Sequence, residues 1–203
     1  MSNFFEYIGF IGIGLMGYSL VKRLQQAKYH VHVYDKDKNR LKFLNSLKNL
    51  SFDESPCEIS RQCDLIFICV DKTENVENVV FGENGIVQNA SKKTIIVDLS
   101  TTSADKTIIF SKNLKLKKGS SWIDAPVSGG PSKALDGSLA IMMGGDKAKI
   151  KQIQIVLETL SSNFTHFGPV GSGQIVKMIN QILVLNNYAI LAEALSFAEG
   201  YGI

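Results

Sequence analysis

The chain has 203 residues, of which 45% are hydrophobic and 20% charged, and its formal net charge is +3 at pH 7. This composition is typical of a globular protein, and the length exceeds one average domain but is short for two complete ones. The small, scattered charge argues against a nucleic-acid partner, and because no apolar stretch of about 18 residues is free of polar ones, we expect no membrane span.

Short apolar runs alternate with polar segments of helical pattern over most of the chain. The runs predict strands at Tyr7–Ile11, His30–Tyr34, Leu65–Val70, Thr94–Leu99, Ser121–Asp124, Leu139–Met143 and Asn163–Phe167. The segments between them predict helices at Leu15–Lys28, Lys38–Lys48, Glu74–Phe81, Ser103–Lys117 and Lys147–Leu160. Strands that alternate with helices favour a doubly wound parallel α/β sheet, which we assign to residues 1–169.

A long helix is predicted from about Gly173 to Ala198, after a glycine-rich turn, and it places residues 170–203 in a second unit. Its apolar residues cover far more than one stripe, and a helix that is apolar nearly all round belongs in a core. We therefore expect either further C-terminal sequence or a partner subunit to cover it. We favour a truncated sequence, and we expect a homo-oligomer.

A G-x-G-x-x-G motif follows the first predicted strand and opens the first predicted helix. It comprises Gly12, Ile13, Gly14, Leu15, Met16 and Gly17. The first glycine allows a tight turn, the second lets the backbone approach a pyrophosphate, and the third permits close helix packing. The pyrophosphate would meet free N–H groups at the helix N-terminus. In this context the motif predicts a dinucleotide-binding Rossmann domain, and a glycine-rich turn without a ligand is the alternative.

Asp35 ends the second predicted strand, where an acidic residue accepts hydrogen bonds from the adenosine ribose. A carboxylate there would repel a 2′-phosphate, so we expect NAD as cofactor. Lys36, Lys38 and Arg40 stand close in sequence and keep NADP possible.

The cysteines and the N-terminal residues indicate the cellular compartment in which we expect the protein. Cys57, Cys63 and Cys69 form no C-x-x-C pair, and residues 1–6 carry no basic segment typical of a signal peptide. We expect a cytoplasmic protein, with the mitochondrial matrix as an alternative in a eukaryote.

Four further segments give the chain a family resemblance. They are residues 98–101 (DLST), 124–130 (DAPVSGG), 137–145 (GSLAIMMGG) and 171–181 (GSGQIVKMINQ). In order and spacing they resemble the β-hydroxyacid dehydrogenases, a family that includes 3-hydroxyisobutyrate dehydrogenase, tartronate semialdehyde reductase and the glyoxylate/succinic semialdehyde reductases. The resemblance implies a Rossmann domain followed by an all-helical domain, with a long helix between them and the active site in the cleft. Members normally run further than this chain does.

The resemblance places the catalytic general acid/base at Lys177. The sequence itself supports this role. One lysine on an otherwise apolar helix would be buried, and burial would lower its pKa toward the pH at which a general acid/base works. A lysine that extends to solvent near the helix start is the alternative. Asn180 matches the family asparagine that contacts the substrate or orients the lysine, and Gln181 lies on the same face in a less defined role.

The resemblance also assigns substrate and nicotinamide contacts. Ser128, Gly129 and Gly130 match the substrate-carboxylate site, although a simple tight loop is the alternative. Thr101 matches the residue beside the nicotinamide. Val70 and Asp71 end a strand at the same edge and are expected to line the adenosine side, where Asp71 departs from the family's usual leucine-proline.

The implied function is hydride transfer between NAD(P) and a small 3-hydroxy acid or its semialdehyde, with poor activity expected of a truncated chain. The alternatives are a non-catalytic dinucleotide-binding module and a 6-phosphogluconate dehydrogenase relative. An imine-reductase relative is disfavoured because those proteins usually replace the lysine. His30, His32 and His166 show no metal-ligand spacing, and we expect no metal.

Overall fold

The computed structural model of the protein describes residues 5–203, which form one nine-stranded sheet with helices on both faces. The segment in which we expect no signal peptide includes residues 1–4, which lie outside the described residues. The strands are β1 (Tyr7–Ile11), β2 (His30–Tyr34), β3 (Leu50–Phe52), β4 (Leu65–Ile68), β5 (Ile95–Asp98), β6 (Ser121–Asp124), β7 (Val127–Ser128), β8 (Ala140–Gly145) and β9 (Asn163–Gly168).

Strands β1 to β6 are parallel and run in the order β3-β2-β1-β4-β5-β6 across the sheet. The doubly wound α/β fold is therefore confirmed over most of the sheet. The remainder differs from the prediction, because β8 pairs antiparallel with both β6 and β7. β9 then pairs parallel with β8 at the edge.

The helices lie on both faces of the sheet and cover it with two apolar cores. The helices are α1 (Leu15–Gln26), α2 (Lys38–Leu41), α3 (Pro56–Gln62), α4 (Thr73–Phe81), α5 (Ala104–Lys118), α6 (Gly130–Asp136), α7 (Lys147–Gln152), α8 (Gln154–Leu160) and α9 (Ser172–Gly200). Helices α1, α6, α7 and α8 contribute to one core, and α3, α4 and α5 contribute to the other. Every residue of β4 and β5 is buried, as expected for central strands covered on both faces.

Two short strands and two short helices were absent from the sequence prediction: β3, β7, α3 and α6. The edge strand β3 has three residues and is only partly buried, so it carries no clear pattern. Helix α3 begins with a signature that could have been read: the Ser55 hydroxyl accepts the Glu58 N–H at 3.2 Å, and Pro56 occupies the first turn. Helix α6 follows the turn at Gly129 and also has a proline in its first turn.

Two predicted helices are wrong in extent. The helix predicted at Lys38–Lys48 is α2 followed by a 3₁₀ turn at Lys42–Leu44. Only Leu44 of that segment is fully buried, so little packing stabilises a longer helix. The helix predicted at Lys147–Leu160 is interrupted at Ile153, which separates α7 from α8.

Helix α9 has 29 residues and is buried only near its start, at Gly173, Gln174 and Lys177. Most of the apolar side chains that follow are more than half exposed within the described residues. By length and composition this helix could also cross a membrane, a property shared by core helices of soluble proteins. The sequence expectation of no span rested on its polar residues, and it stays a prediction.

The exposed apolar surface of α9 predicts self-association of the 203-residue chain. We expect light scattering to give a mass above that of the monomer. The double substitution Ile182→Lys and Leu185→Lys should lower that mass, because both side chains are 56–60% exposed on α9. Leu116→Lys, on the exposed surface of α5, is the matched control. A clean monomer for the unmodified chain would contradict the prediction.

Candidate active site

The glycine loop between β1 and α1 is shaped by close backbone approach at two of its three glycines. Gly12 has a φ of +98°, and a Cβ there would overlap the Cys69 carbonyl oxygen. A Cβ at Gly17 would overlap the Gly12 carbonyl oxygen. At Gly14, in contrast, a Cβ would meet nothing nearer than the Arg40 Nη1 at 3.8 Å. The space beside the middle glycine is therefore open to a bound group.

That space belongs to a cavity of about 620 Å³ at the carboxyl ends of β1, β2 and β4. It brings together most of the residues assigned to the cofactor from sequence. These are Gly12, Gly14, Leu15, Met16, Gly17, Asp35, Val70 and Asp71. The cavity extends to residues that the sequence analysis did not assign, among them Asn75, Asn78, Glu83 and Asn84.

The first turn of α1 points free N–H groups at this cavity. The N–H groups of Leu15 and Met16 have no partner inside the helix, because the first turn of any α-helix lacks one. Gly14 has no side chain with which to cap them, and the first turn carries no acidic residue. The positive end of the helix is thus open to an anion. These residues fit the pyrophosphate of a dinucleotide.

Asp35 is buried at the end of β2 and bonded to the glycine loop. Its Oδ2 accepts the Ile13 N–H at 2.6 Å, and its Oδ1 accepts the Asp37 N–H at 2.8 Å. The Arg40 Nη1 lies 3.6 Å from Oδ2, with half of the arginine side chain exposed. Ile13 therefore acts through its backbone, and Asp35 has a role in loop structure that the sequence analysis did not predict.

The ends of β4 and β5 are joined by Ser100. Its hydroxyl accepts the Val70 N–H at 3.0 Å, and its own N–H donates to Asp98 Oδ1 at 3.0 Å. Thr101 follows in an exposed loop and is not among the residues that line the cavity. Asp71 is exposed, and the Asn75 amide donates to it at 2.5 Å, which lowers the pKa of Asp71.

Two buried carboxylates, Asp98 and Asp124, lie side by side at the ends of β5 and β6. Burial raises the pKa of Asp98 to about 7, opposed by the hydrogen bonds from Ser100. Within the described residues, Asp98 Oδ2 has no hydrogen-bond partner. Burial also raises the pKa of Asp124, and the backbone N–H groups of Gly171 and Gln174 oppose that shift.

Asp124 caps the start of α9. Its Oδ1 accepts the Gly171 N–H at 2.8 Å, and its Oδ2 accepts the Gln174 N–H at 3.0 Å. The Gln174 side chain continues the contact, because its Oε1 accepts the Thr102 N–H at 3.0 Å and its Nε2 donates to the Ser100 carbonyl at 2.8 Å. The start of α9 is thereby joined to the ends of β5 and β6.

Lys177 lies one turn further along α9 and is 7% exposed. Burial lowers the pKa of its ammonium group, and no ion pair of the described residues includes it. This matches the buried lysine that the sequence analysis favoured over one that extends to solvent. Its position relative to a nicotinamide stays a prediction.

The Asn180 Nδ2 lies 3.5 Å from the Ser128 hydroxyl and equally far from the Gln181 Oε1. Gly129 and Gly130 follow Ser128 with φ values of +134° and +75°. A Cβ at Gly130 would meet no atom within 4 Å, so this backbone faces open space. The structure therefore places the proposed substrate residues of the two segments next to each other.

The three histidines make local hydrogen bonds. His30 bonds to Ser51, His32 to Asp53, and His166 to backbone carbonyls. Across residues 5–203, no group of three or more His, Cys, Asp or Glu side chains has the arrangement of a metal site.

Comparison with known proteins identifies the chain. A sequence profile of the NAD-binding domain of 6-phosphogluconate dehydrogenase matches residues 7–168. The 2-hydroxy-3-oxopropionate reductase of Escherichia coli (strain K12) is 38% identical over 195 residues, which are 96% of this chain and 66% of that protein. The chain belongs to the β-hydroxyacid dehydrogenase family. The 2-(hydroxymethyl)glutarate dehydrogenase of Eubacterium barkeri is 34% identical, over 97% of this chain and 64% of its own.

A solved β-hydroxyacid dehydrogenase has the same fold. The structure of Mycobacterium tuberculosis 3-hydroxyisobutyrate dehydrogenase with L-serine matches with a TM-score of 0.88 at 26% identity, over 97% of this chain and 66% of that one. These matches confirm the family resemblance, the Rossmann fold and the NAD-binding domain. The chain spans about two thirds of the length of these relatives.

Asp98 gives the site a stability that depends on pH. Its carboxyl keeps a proton in the folded protein up to about pH 7, whereas the ordinary pKa is 3.8. Between these values the folded state binds the extra proton, so its stability falls as pH rises, by on the order of 4 kcal/mol in total.

We expect Asp98→Asn to remove this dependence. The melting temperature of the variant relative to the unmodified protein should rise from about pH 5 to about pH 8, as measured by thermal unfolding. Asp136→Asn, at an exposed position, is the control. If the difference in melting temperature between the two proteins did not change with pH, Asp98 would not titrate in this pH range, and the prediction would be wrong.

Proposed function

We propose that the protein transfers a hydride between NAD and a small 3-hydroxy acid or its semialdehyde, with Lys177 as general acid/base. The observation that carries the proposal is the burial of Lys177, 7% exposed, on the same face of α9 as Gln174. The Gln174 amide contacts the loop after β5, so this face of α9 adjoins the carboxyl edge of the sheet, where ligands of such folds bind.

Lys177 would move the proton of the reaction. In oxidation its neutral amine accepts the hydroxyl proton, and in reduction its ammonium group donates it. Burial supports this role because it lowers the pKa and so raises the fraction of neutral amine near neutral pH. The dinucleotide, when bound, supplies the hydride acceptor or donor.

Ser128, Gly129 and Gly130 would bind the substrate carboxylate. A hydroxyl and backbone N–H groups suit an anion, and the open space beside Gly130 leaves room for it. Asn180, 3.5 Å from the Ser128 hydroxyl, would orient the substrate between this segment and Lys177. The solved relative with bound L-serine supports a ligand of this class, since serine is itself a small 3-hydroxy acid.

NAD is the cofactor that Asp35 favours. Its carboxylate at the cavity wall would accept bonds from ribose hydroxyls and repel a 2′-phosphate. Arg40 and Lys36 also line the cavity and would reduce the discrimination. Thr101, Val70 and Asp71 would contact the rest of the dinucleotide from the ends of β4 and β5.

The cofactor preference can be measured by binding. We expect NADH to bind more tightly than NADPH by roughly ten-fold, on the basis of one repelled charge at a partly solvated site. Asp35→Asn should reduce that ratio, measured by nucleotide fluorescence titration. Asp105→Asn, at an exposed position in the first turn of α5 and outside the cavity lining, is the control. Tighter binding of NADPH by the unmodified protein would overturn the preference for NAD.

Turnover should depend on Lys177. In the full-length protein, Lys177→Ala should lower kcat roughly 10²- to 10⁴-fold, the usual contribution of a general acid/base. The NADH dissociation constant should change little. Lys147→Ala, on the exposed start of α7, should leave kcat unchanged. The assay follows absorbance of the reduced cofactor with a panel of 3-hydroxy acids and 6-phosphogluconate.

The pH profile adds a second criterion. Oxidation needs neutral Lys177, so the kcat of oxidation should rise with pH through the lowered pKa of the lysine, whereas the kcat of reduction should fall.

Unchanged turnover in Lys177→Ala would remove the lysine from this role. Turnover of 6-phosphogluconate alone would favour the sugar-phosphate alternative, and cofactor binding without turnover of any compound would favour a binding module.

A further inference from the structure

Four hydrogen bonds connect the start of α9 to the sheet and the loop after β5, and each of them involves the side chain of Asp124 or Gln174. Two of them end on Asp124, from the N–H groups of Gly171 and Gln174. The other two join the Gln174 amide to Ser100 and Thr102. We call Asp124 and Gln174 the α9 clamp. Both side chains are almost completely buried, with exposures of 0% and 2%.

The space for the clamp is made by two glycines. A Cβ at Gly144 would lie 2.6 Å from Asp124 Oδ1, and a Cβ at Gly173 would lie 2.9 Å from Asp124 Oδ2. Any larger residue at either position would push the carboxylate away from the backbone N–H groups of α9. The carboxylate is therefore held in a slot formed by β8 on one side and α9 on the other.

The clamp lies at the buried face of α9, which also carries Lys177. Gln174 and Lys177 are three residues apart, so they share one face of the helix. Beyond Lys177 the helix is largely exposed within the described residues, and Asn180, Gln181 and Val184 are only half-buried. A shift of α9 by one residue would move the lysine along the axis by about 1.5 Å and turn it by about 100°.

We propose that Asp124 and Gln174 are positioning residues, which hold Lys177 at a fixed place relative to the loop that contains Thr101. The inference rests on the proposed function, because it assigns these residues an effect on turnover that passes through Lys177. Gln174 bonds on both sides of Thr101, at Ser100 and Thr102, so one amide sets the lysine-bearing helix against the loop assigned to the nicotinamide.

The test is a double-mutant cycle in the full-length protein. Gln174→Glu keeps the size of the side chain, and at a pH at which the new carboxyl is ionised it cannot donate to the Ser100 carbonyl. We expect kcat to fall roughly 10- to 100-fold, as for a small misplacement of a catalytic group. The NADH dissociation constant and the substrate KM should change less than about three-fold. Gln26→Glu, on the exposed surface of α1, is the control for the added charge.

The same substitution in a Lys177→Ala background decides between positioning and general structural damage. If Gln174 acts through Lys177, it should change the residual turnover of the double variant by less than about two-fold. An equal loss in both backgrounds, or an unchanged kcat in Gln174→Glu alone, would overturn the proposal.

Two further variants keep the result interpretable if Gln174→Glu does not fold. Gln174→Met removes both hydrogen bonds of the amide without adding charge to the buried site. Asp124→Asn replaces one of the two acceptor oxygens by an NH2 group, which cannot accept a backbone N–H. Both should show the same non-additivity with Lys177→Ala. Full turnover in Lys177→Ala would reject the proposed function. A large loss in Lys177→Ala together with additive effects at Gln174 would reject only the clamp.

Discussion

The arrangement of the site follows from the burial of the central strands on both faces. Because helices cover β4 and β5 completely, polar groups of the sheet can meet a ligand only at the strand ends. The carboxyl ends of β1, β2 and β4 form the cavity, and those of β5 and β6 carry the two buried carboxylates. Most buried polar groups at this edge have a partner, since an unpaired one is costly, and Asp98 Oδ2 is an exception within the described residues.

The two helix starts at this edge illustrate how those needs are met. The first turn of α1 has no capping side chain and no acidic residue, so its N–H groups stay available for an anionic ligand. The first turn of α9 is instead capped by Asp124, which comes from β6. The start of α1 is open to a ligand, whereas the start of α9 is bonded to the sheet. Both helices have a glycine as N-cap residue, which has no side chain to accept the free N–H groups.

The parts that were predictable from sequence are those whose cause is local. The turn at Gly12 and the open backbone at Gly14 follow from a motif within six residues, and the strand before it has a clear apolar pattern. Asp35 was predicted as a cofactor contact by its distance from that motif. Its second role, the bond to the Ile13 N–H, depends on two strands lying side by side and was not visible.

The parts that were not predictable depend on long-range contacts. Asp124 and Gln174 are separated by 50 residues, so no local pattern relates them. The antiparallel direction of β8 depends on the reversal of the chain between β7 and β8, in the stretch that contains α6. Ser55 and Pro56 of α3 are a different case, since their capping signature is local and could be predicted from the sequence.

The position of the clamp has an evolutionary consequence. All four bonds that fix α9 involve residues up to Gln174, which precede most of the helix. Substitutions later in the helix, or in any segment packed on it, leave the residues that form these four bonds unchanged. A lineage built on this frame can change its substrate contacts while the lysine that we propose as general acid/base keeps one location.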